Sequence, residues 1–142
     1  MIFLDTNVCI ALMRGNIVES DLSRVLDDTQ YAVTTPTLFE LYEGYYLFKY
    51  TKKAKTHTFL KEMKKGIEDL IRKTTCFDLD VKAAEIASRI NNSLIGKGKS
   101  IEVFDCLIAG VVLSHGYSKI FTNNLSHFEN IEGLKPYEIR VF

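Results

Sequence analysis

The chain has 142 residues, 46% of them hydrophobic, and 18 basic side chains balance 18 acidic ones. That length fits one domain, residues 1–142, around a single core and excludes two, while the charge balance neither marks nor excludes a nucleic-acid partner. No apolar run approaches the roughly 18 residues that span a bilayer, and Asp5 interrupts the N-terminus where a signal peptide needs its apolar stretch, so a soluble cytoplasmic protein is expected. Cys9, Cys76 and Cys106 are odd in number, far apart and set among apolar neighbours. They read as small buried thiols in a reducing compartment, without zinc-ligand spacing.

Ile2-Phe3-Leu4 is too short for a helix, and Asp5-Thr6-Asn7 follows with side chains that accept from the free amides of a helix start. A strand and then a helix are expected, the helix stopping at Gly15-Asn16 and a second running from Ile17 to Leu26. Tyr31 to Thr35 is β-branched and strand-like. Pro36 suits a first helical turn, where a missing amide proton costs nothing, so a helix is predicted from Thr37 to about Tyr50. A further helix, basic on its exposed face, is predicted from Lys52 to Lys73. Cys76 to Leu79 reads as a short strand, and Asp80 as the cap of a helix with Ala84, Ala87, Ile90 and Leu94 at helical spacing. Gly96 to Ser100 is a turn-rich loop. Val103 to His115 is a strongly apolar helix stopped by Gly116, Lys119 to Thr122 a buried strand, and Glu138 to Phe142 a last alternating strand.

Strands alternating with helices predict a mainly parallel sheet covered on both faces, because parallel neighbours need crossovers. Sites in such folds gather beyond the carboxyl ends of the strands, which places Asp5 and Asn123-Asn124 on one rim and lets Glu40 and Asp105 reach it from helix first turns. Each acid has a plainer reading. Asp5 suits a cap, Glu40 a solvated helix face, and Asp105 a cap that competes with burial near other acids. Carboxylates without clustered cysteine or histidine favour hard cations, Mg²⁺ or Mn²⁺, whose remaining positions take water and phosphate oxygens. Phosphoryl chemistry follows, with an activated water and charge neutralised on the phosphodiester. A phosphatase with Asp5 as nucleophile would want a second acid close behind, and Thr6-Asn7-Val8 offers none.

Phe3-Leu4-Asp5-Thr6-Asn7, Thr37-Leu38-Phe39-Glu40-Leu41-Tyr42-Glu43-Gly44, Asp105-Cys106-Leu107-Ile108-Ala109 and Phe121-Thr122-Asn123-Asn124 together resemble the PIN-domain nucleases of the VapC toxin type, in order and spacing over essentially the whole chain. The resemblance implies a three-layer α/β/α fold, Mg²⁺- or Mn²⁺-dependent endoribonuclease activity, Asp5, Glu40 and Asp105 as metal ligands, and an antitoxin that blocks the site. Asn123 or Asn124 would complete the pocket where the family often has a fourth acid. An amide supplies no charge there, so a second metal would be held less firmly, with Glu102 or Glu43 as partial compensation. Thr6 and Thr122 read as supporting hydroxyls or as strand-end and capping residues. His57 and His115 read as non-catalytic. His127 reads as a surface or capping residue, with a phosphate contact as the alternative. A catalytically weakened PIN-like module that binds RNA or protein is the alternative to the toxin ribonuclease.

From Lys52 to Lys73 eight basic residues stand against three acidic ones. Lys52 and Lys53, with the lysines that follow, would hold an RNA backbone by salt-sensitive phosphate contacts, or form an ordinary solvated face. The helix carrying Phe39, Tyr42, Tyr46 and Phe48 is apolar nearly all round, so a homodimer contact, an antitoxin contact or both are expected on it, unless neighbouring helices bury it.

Overall fold

The computed structural model describes residues 1–27, 30–51 and 56–140. Among them the order is β1 (Ile2–Leu4), α1 (Thr6–Met13), α2 (Glu19–Val25), β2 (Tyr31–Thr34), α3 (Thr35–Tyr50), α4 (His57–Lys73), β3 (Thr75–Phe77), α5 (Val81–Gly96), α6 (Val103–Ser114), β4 (Lys119–Thr122), α7 (Leu125–Phe128) and β5 (Lys135–Glu138). The strands form one sheet in the order β3-β2-β1-β4-β5, and every neighbouring pair is parallel. Each crossover therefore carries helices, which bury both faces of the sheet.

Alternation along the strands divides the core in two. Ile2, Leu4, Val33 and Phe121 pack on one side with Val8, Leu22, Leu41 and Ile67 from α1 to α4. Phe3, Ala32 and Ile120 point the other way, to Leu94, Ile108, Val112 and Phe128 from α5, α6 and α7. The result is the three-layer α/β/α arrangement expected from the sequence. At the α5–α6 contact a Cβ on Gly110 would lie 2.6 Å from the Ala83 carbonyl oxygen and 2.8 Å from the Ala87 Cβ. Only glycine allows these helices so close.

The chain winds outward from β1 to β2 and β3, then crosses to the other side of β1 for β4 and β5. Where the winding reverses, connections leave the carboxyl ends of β1 and β4 toward opposite faces and open a crevice. The Asp5 N–H donates to the Phe121 carbonyl at 2.9 Å and ties the two strand ends together there.

Several expected boundaries move. The strand expected at Cys76 to Leu79 is Thr75–Phe77, because it pairs with β2, which ends at Thr34; the Leu79 N–H turns instead to the Thr35 hydroxyl at 3.0 Å. The last strand is Lys135–Glu138, paired in register with the whole of β4, and ends before Ile139, while residues 141–142 of the strand expected over 138–142 lie outside the described residues. Pro36 lies inside α3, which starts at Thr35 under a Thr34 cap, while Pro136 is tolerated in β5 because that strand is at the sheet edge. On α5 the buried face uses Ala83 with Ala87 and Leu94, and Ala84 is exposed. Asp80 caps this helix as expected, accepting from the Ala83 N–H at 2.8 Å. Cys9 and Cys106 are buried, but Cys76 is exposed, since β3 is an edge strand. No helix among the described residues is long and apolar enough to cross a membrane.

Candidate active site

Asp5 leaves β1 directly into α1, at the floor of the crevice, and is only 3% exposed. Its Oδ1 accepts from the Thr6 N–H at 2.7 Å and its Oδ2 from the Thr122 hydroxyl at 2.9 Å, a bond that spans the chain from β1 to β4. The Thr122 hydroxyl accepts in turn from the Asn124 N–H at 2.9 Å. Thr6 also serves a second acid, since its hydroxyl donates to Glu40 Oε1 at 2.6 Å. Glu40 comes to this position because Thr34, at the end of β2, caps α3 by accepting from the Thr37 N–H at 3.2 Å. Asp105, in the first turn of α6, meets His127 of α7 with 2.7 Å between Oδ2 and Nδ1. An ionised carboxylate only accepts, so Nδ1 carries the proton in this contact.

The electrostatics are those of an anionic pocket under strain from its own charge. Burial first, and then the Asp105 charge, push Asp5 up to about 6 against the bonds from Thr122 and Thr6 that favour its ionised form. Glu40 is raised by burial and by the charges of Asp5 and Glu102, with the Thr6 hydroxyl opposing. Asp105 is raised by burial and by Glu40 and Glu102, with His127 opposing. The three acids thus feel one another. Among the described residues, no lysine or arginine pairs with any of them; His127 is the basic partner present. Asn123 Oδ1 is buried without a hydrogen-bond partner, an acceptor still to be satisfied.

A hard divalent cation suits this donor set: one buried and two half-buried carboxylates raised by burial and then by one another's charge, an orphaned amide oxygen, and no competing cationic side chain among the described residues. Among those residues no three His, Cys, Asp or Glu side chains close into a ready-made cage.

Of the residues singled out in the sequence, Asp5, Thr6, Glu40 and Thr122 are linked by hydrogen bonds, and Asp105 couples to Asp5 and Glu40 through charge. Asn123 and Asn124 follow β4 into the same crevice. Glu102 precedes α6 and its charge reaches Glu40 and Asp105, whereas Glu43 is exposed on α3. Lys52 and Lys53 lie outside the described residues, as do residues 54–55 of the helix expected from Lys52, which begins at His57. On α3, Leu41 and Tyr45 are buried while Phe39, Tyr46, Leu47 and Tyr50 are 42–75% exposed, so neighbouring helices cover only part of it. Sequence reasoning took His127 for a surface or capping residue, or a phosphate contact, and missed its bond to Asp105. Its contact with Asp105 depends on the four-residue helix α7, which carried no signal beyond an unusual His-Phe pair after Asn123-Asn124. Beside it, a groove of about 530 Å³ is bordered by Lys99, Ser100, Glu102, Ser126, His127 and Asn130.

A parallel α/β sheet with acids gathered where its winding reverses defines a class of fold that binds its ligand at the strand ends. The PIN domain family profile matches residues 2–134, and the chain belongs to that family. It is 28% identical over 132 residues to the tRNA(fMet)-specific endonuclease VapC of Shigella flexneri, covering 93% of this chain and 92% of that protein. The protein of the same name from Salmonella typhimurium matches equally well, at 28% over 132 residues with 93% and 92% covered. Among solved structures, DNA-bound VapBC from Salmonella typhimurium superposes with a TM-score of 0.75 at 28% identity, covering 97% of this chain and 98% of the other. VapBC2 from Rickettsia felis, bound to a promoter DNA fragment, has the same fold, with a TM-score of 0.76, 22% identity, and 99% and 100% coverage.

Proposed function

We propose that the chain is an Mg²⁺- or Mn²⁺-dependent endoribonuclease, the toxin of a type II toxin-antitoxin pair acting in the cytoplasm. The observation that carries this reading is the convergence of Asp5, Glu40 and Asp105 at the β1–β4 crevice, each raised in pKa by burial and neighbouring charge. The family and the VapC relatives support it. Asp5, Glu40 and Asp105 hold the cation, and Asn123 completes the pocket through its orphaned oxygen. When bound, such a cation activates a water and neutralises charge on the phosphodiester. Thr6 and Thr122 orient Asp5 and Glu40 by the bonds described, and Asn124 fixes the Thr122 hydroxyl through its backbone N–H.

The Lys52-Lys53 segment and the lysines of α4 hold the RNA backbone, and the exposed Tyr46, Leu47 and Tyr50 of α3 serve an antitoxin and a second copy of the chain. The VapC relatives are tRNA(fMet)-specific, which makes initiator tRNA the first substrate to test. Purified protein with Mn²⁺ should cut RNA and leave 5′-phosphate ends, because a water attacks rather than the ribose 2′-hydroxyl. Asp105→Asn should lose cleavage by a hundredfold or more while keeping its circular dichroism. A 2′,3′-cyclic phosphate product, or full turnover in EDTA, would sink the mechanism.

A further inference from the structure

Phe39 and Phe104 stand immediately before Glu40 and Asp105, on different helices, and their rings stack with centroids 5.3 Å apart and planes inclined by 21°. Consecutive Cα atoms are about 3.8 Å apart, so the stack belongs to the same two helical turns as the acids. One face of the Phe39 ring meets Phe104. The Phe39 side chain is nonetheless 55% exposed, and no second ring stacks on it among the described residues. Further along the same face of α3, Tyr46 stacks on Tyr42 and on Tyr50, and the Lys49 ammonium lies over the Tyr46 and Tyr50 rings. The first of the exposed members, Tyr46, is seven residues or about 10 Å beyond Phe39. Phe39 is therefore the site's own aromatic, held at the acidic rim by its partner on α6.

We propose that the Phe39–Phe104 stack is a platform for one unstacked base of single-stranded RNA, that of a nucleotide adjoining the phosphate to be cleaved. The inference rests on the nuclease reading and names a subsite within it. Continuity argues for RNA: a base hangs from its phosphate by a single sugar, and the rings stand one residue from the acids that would receive that phosphate. Charge argues the same way. The pocket is anionic, so a polyanion gains little attraction from these residues and needs a contact that ignores charge, which base–aromatic stacking provides. Phenyl rings carry no hydrogen-bonding edge, so the platform positions a base without reading its identity. Sequence choice then lies elsewhere.

The test uses the full-length chain carrying Asp105→Asn to suppress cutting, with Mn²⁺, and single-stranded RNA 12-mers bearing 2-aminopurine at successive positions. The parent should quench the probe at one position. Phe39→Leu and Phe39→Ala should lose that quench and weaken binding by about tenfold, while Phe39→Trp restores both. Phe39 is exposed, and all three variants should melt with the parent. Unchanged affinity and quenching in Phe39→Ala would overturn the platform. So would a drop in light-scattering mass with RNA affinity per chain intact, which would make Phe39 a contact between copies. Absence of both RNA binding and RNA cleavage by the unsubstituted chain in Mn²⁺ would remove the nuclease reading, and the platform with it.

Discussion

Asp5 shows how a functional carboxylate works against the fold that holds it. Its folded pKa near 6 lies above the ordinary 3.8, so the folded state binds more protons between those values and stability falls as pH rises through that window. The penalty is complete above pH 6, roughly 3 kcal/mol at most for a group this buried, and absent below 3.8. We predict that Asp5→Asn raises unfolding free energy in urea at pH 8 in EDTA by about 1–3 kcal/mol, and that the gap closes near pH 4. A less stable variant at pH 8 would mean that the bonds from Thr6 and Thr122 outweigh the burial. His127 makes a second prediction. Its imidazole fixes one oxygen of Asp105 and leaves the other for the pocket, so His127→Ala should weaken Mn²⁺ binding by about 10–100-fold in calorimetry. His127→Asn, whose amide nitrogen lies near the position of Nδ1, should recover most of that. Equal Mn²⁺ affinity in the alanine variant would show that Asp105 needs no such support. The places of Asp5 and Asp105 were legible in the sequence because one follows a strand and the other opens an apolar helix, whereas Glu40, expected in a first turn, lies in the second turn of α3 because that helix starts at Thr35. His127 was not, since its partner lies 22 residues away and nothing local marks the contact.

Helix α6 delivers Asp105, and the closeness of α5 sets where it arrives. Gly110→Ala would drive a methyl against the Ala83 carbonyl and Ala87, forcing the two helices apart. We expect a loss of about 1–3 kcal/mol in urea unfolding, with Ala87→Gly restoring only part because the Ala83 carbonyl stays in the way. A neutral Gly110→Ala would mean that the helices slide freely. Elements of this kind differ in how plainly a sequence announces them. The helices are bounded by residues that act locally: Asp80 at a start, Pro36 in a first turn, Gly15 and Gly116 with φ of 74° and 80° at ends. The edge strands are not. β3 ends where β2 ends and β5 matches the length of β4, so their limits are imposed by neighbours distant in sequence. Binary pattern alone moved both strands along the chain, and Ala84 took the place of Ala83 because alanine marks either side of a helix equally well.

For the molecule as a whole, net charge is zero, so the proposed attraction for RNA has to come from a local flank. Lys61, Lys64 and Lys65 are exposed on α4, downstream of Lys52 and Lys53. Replacing Lys52 and Lys53 with glutamine should weaken RNA binding similarly across sequences and flatten its dependence on salt, by about 0.7 in log–log slope for each single-strand phosphate no longer neutralised. An unaltered slope would assign those lysines to solvent. The bond from Thr122 to Asp5 spans 117 residues, and β4 joins the central strand β1 only after β1, β2 and β3 have been made. A nascent chain therefore leaves the ribosome with Asp5 and Glu40 already translated but with no Thr122, Asn123 or His127 to finish the pocket. The proposed activity is withheld until Thr122 and His127 follow Asp5 out by more than a hundred residues, which gives an inhibitor made beforehand time to be waiting when β4 and β5 close.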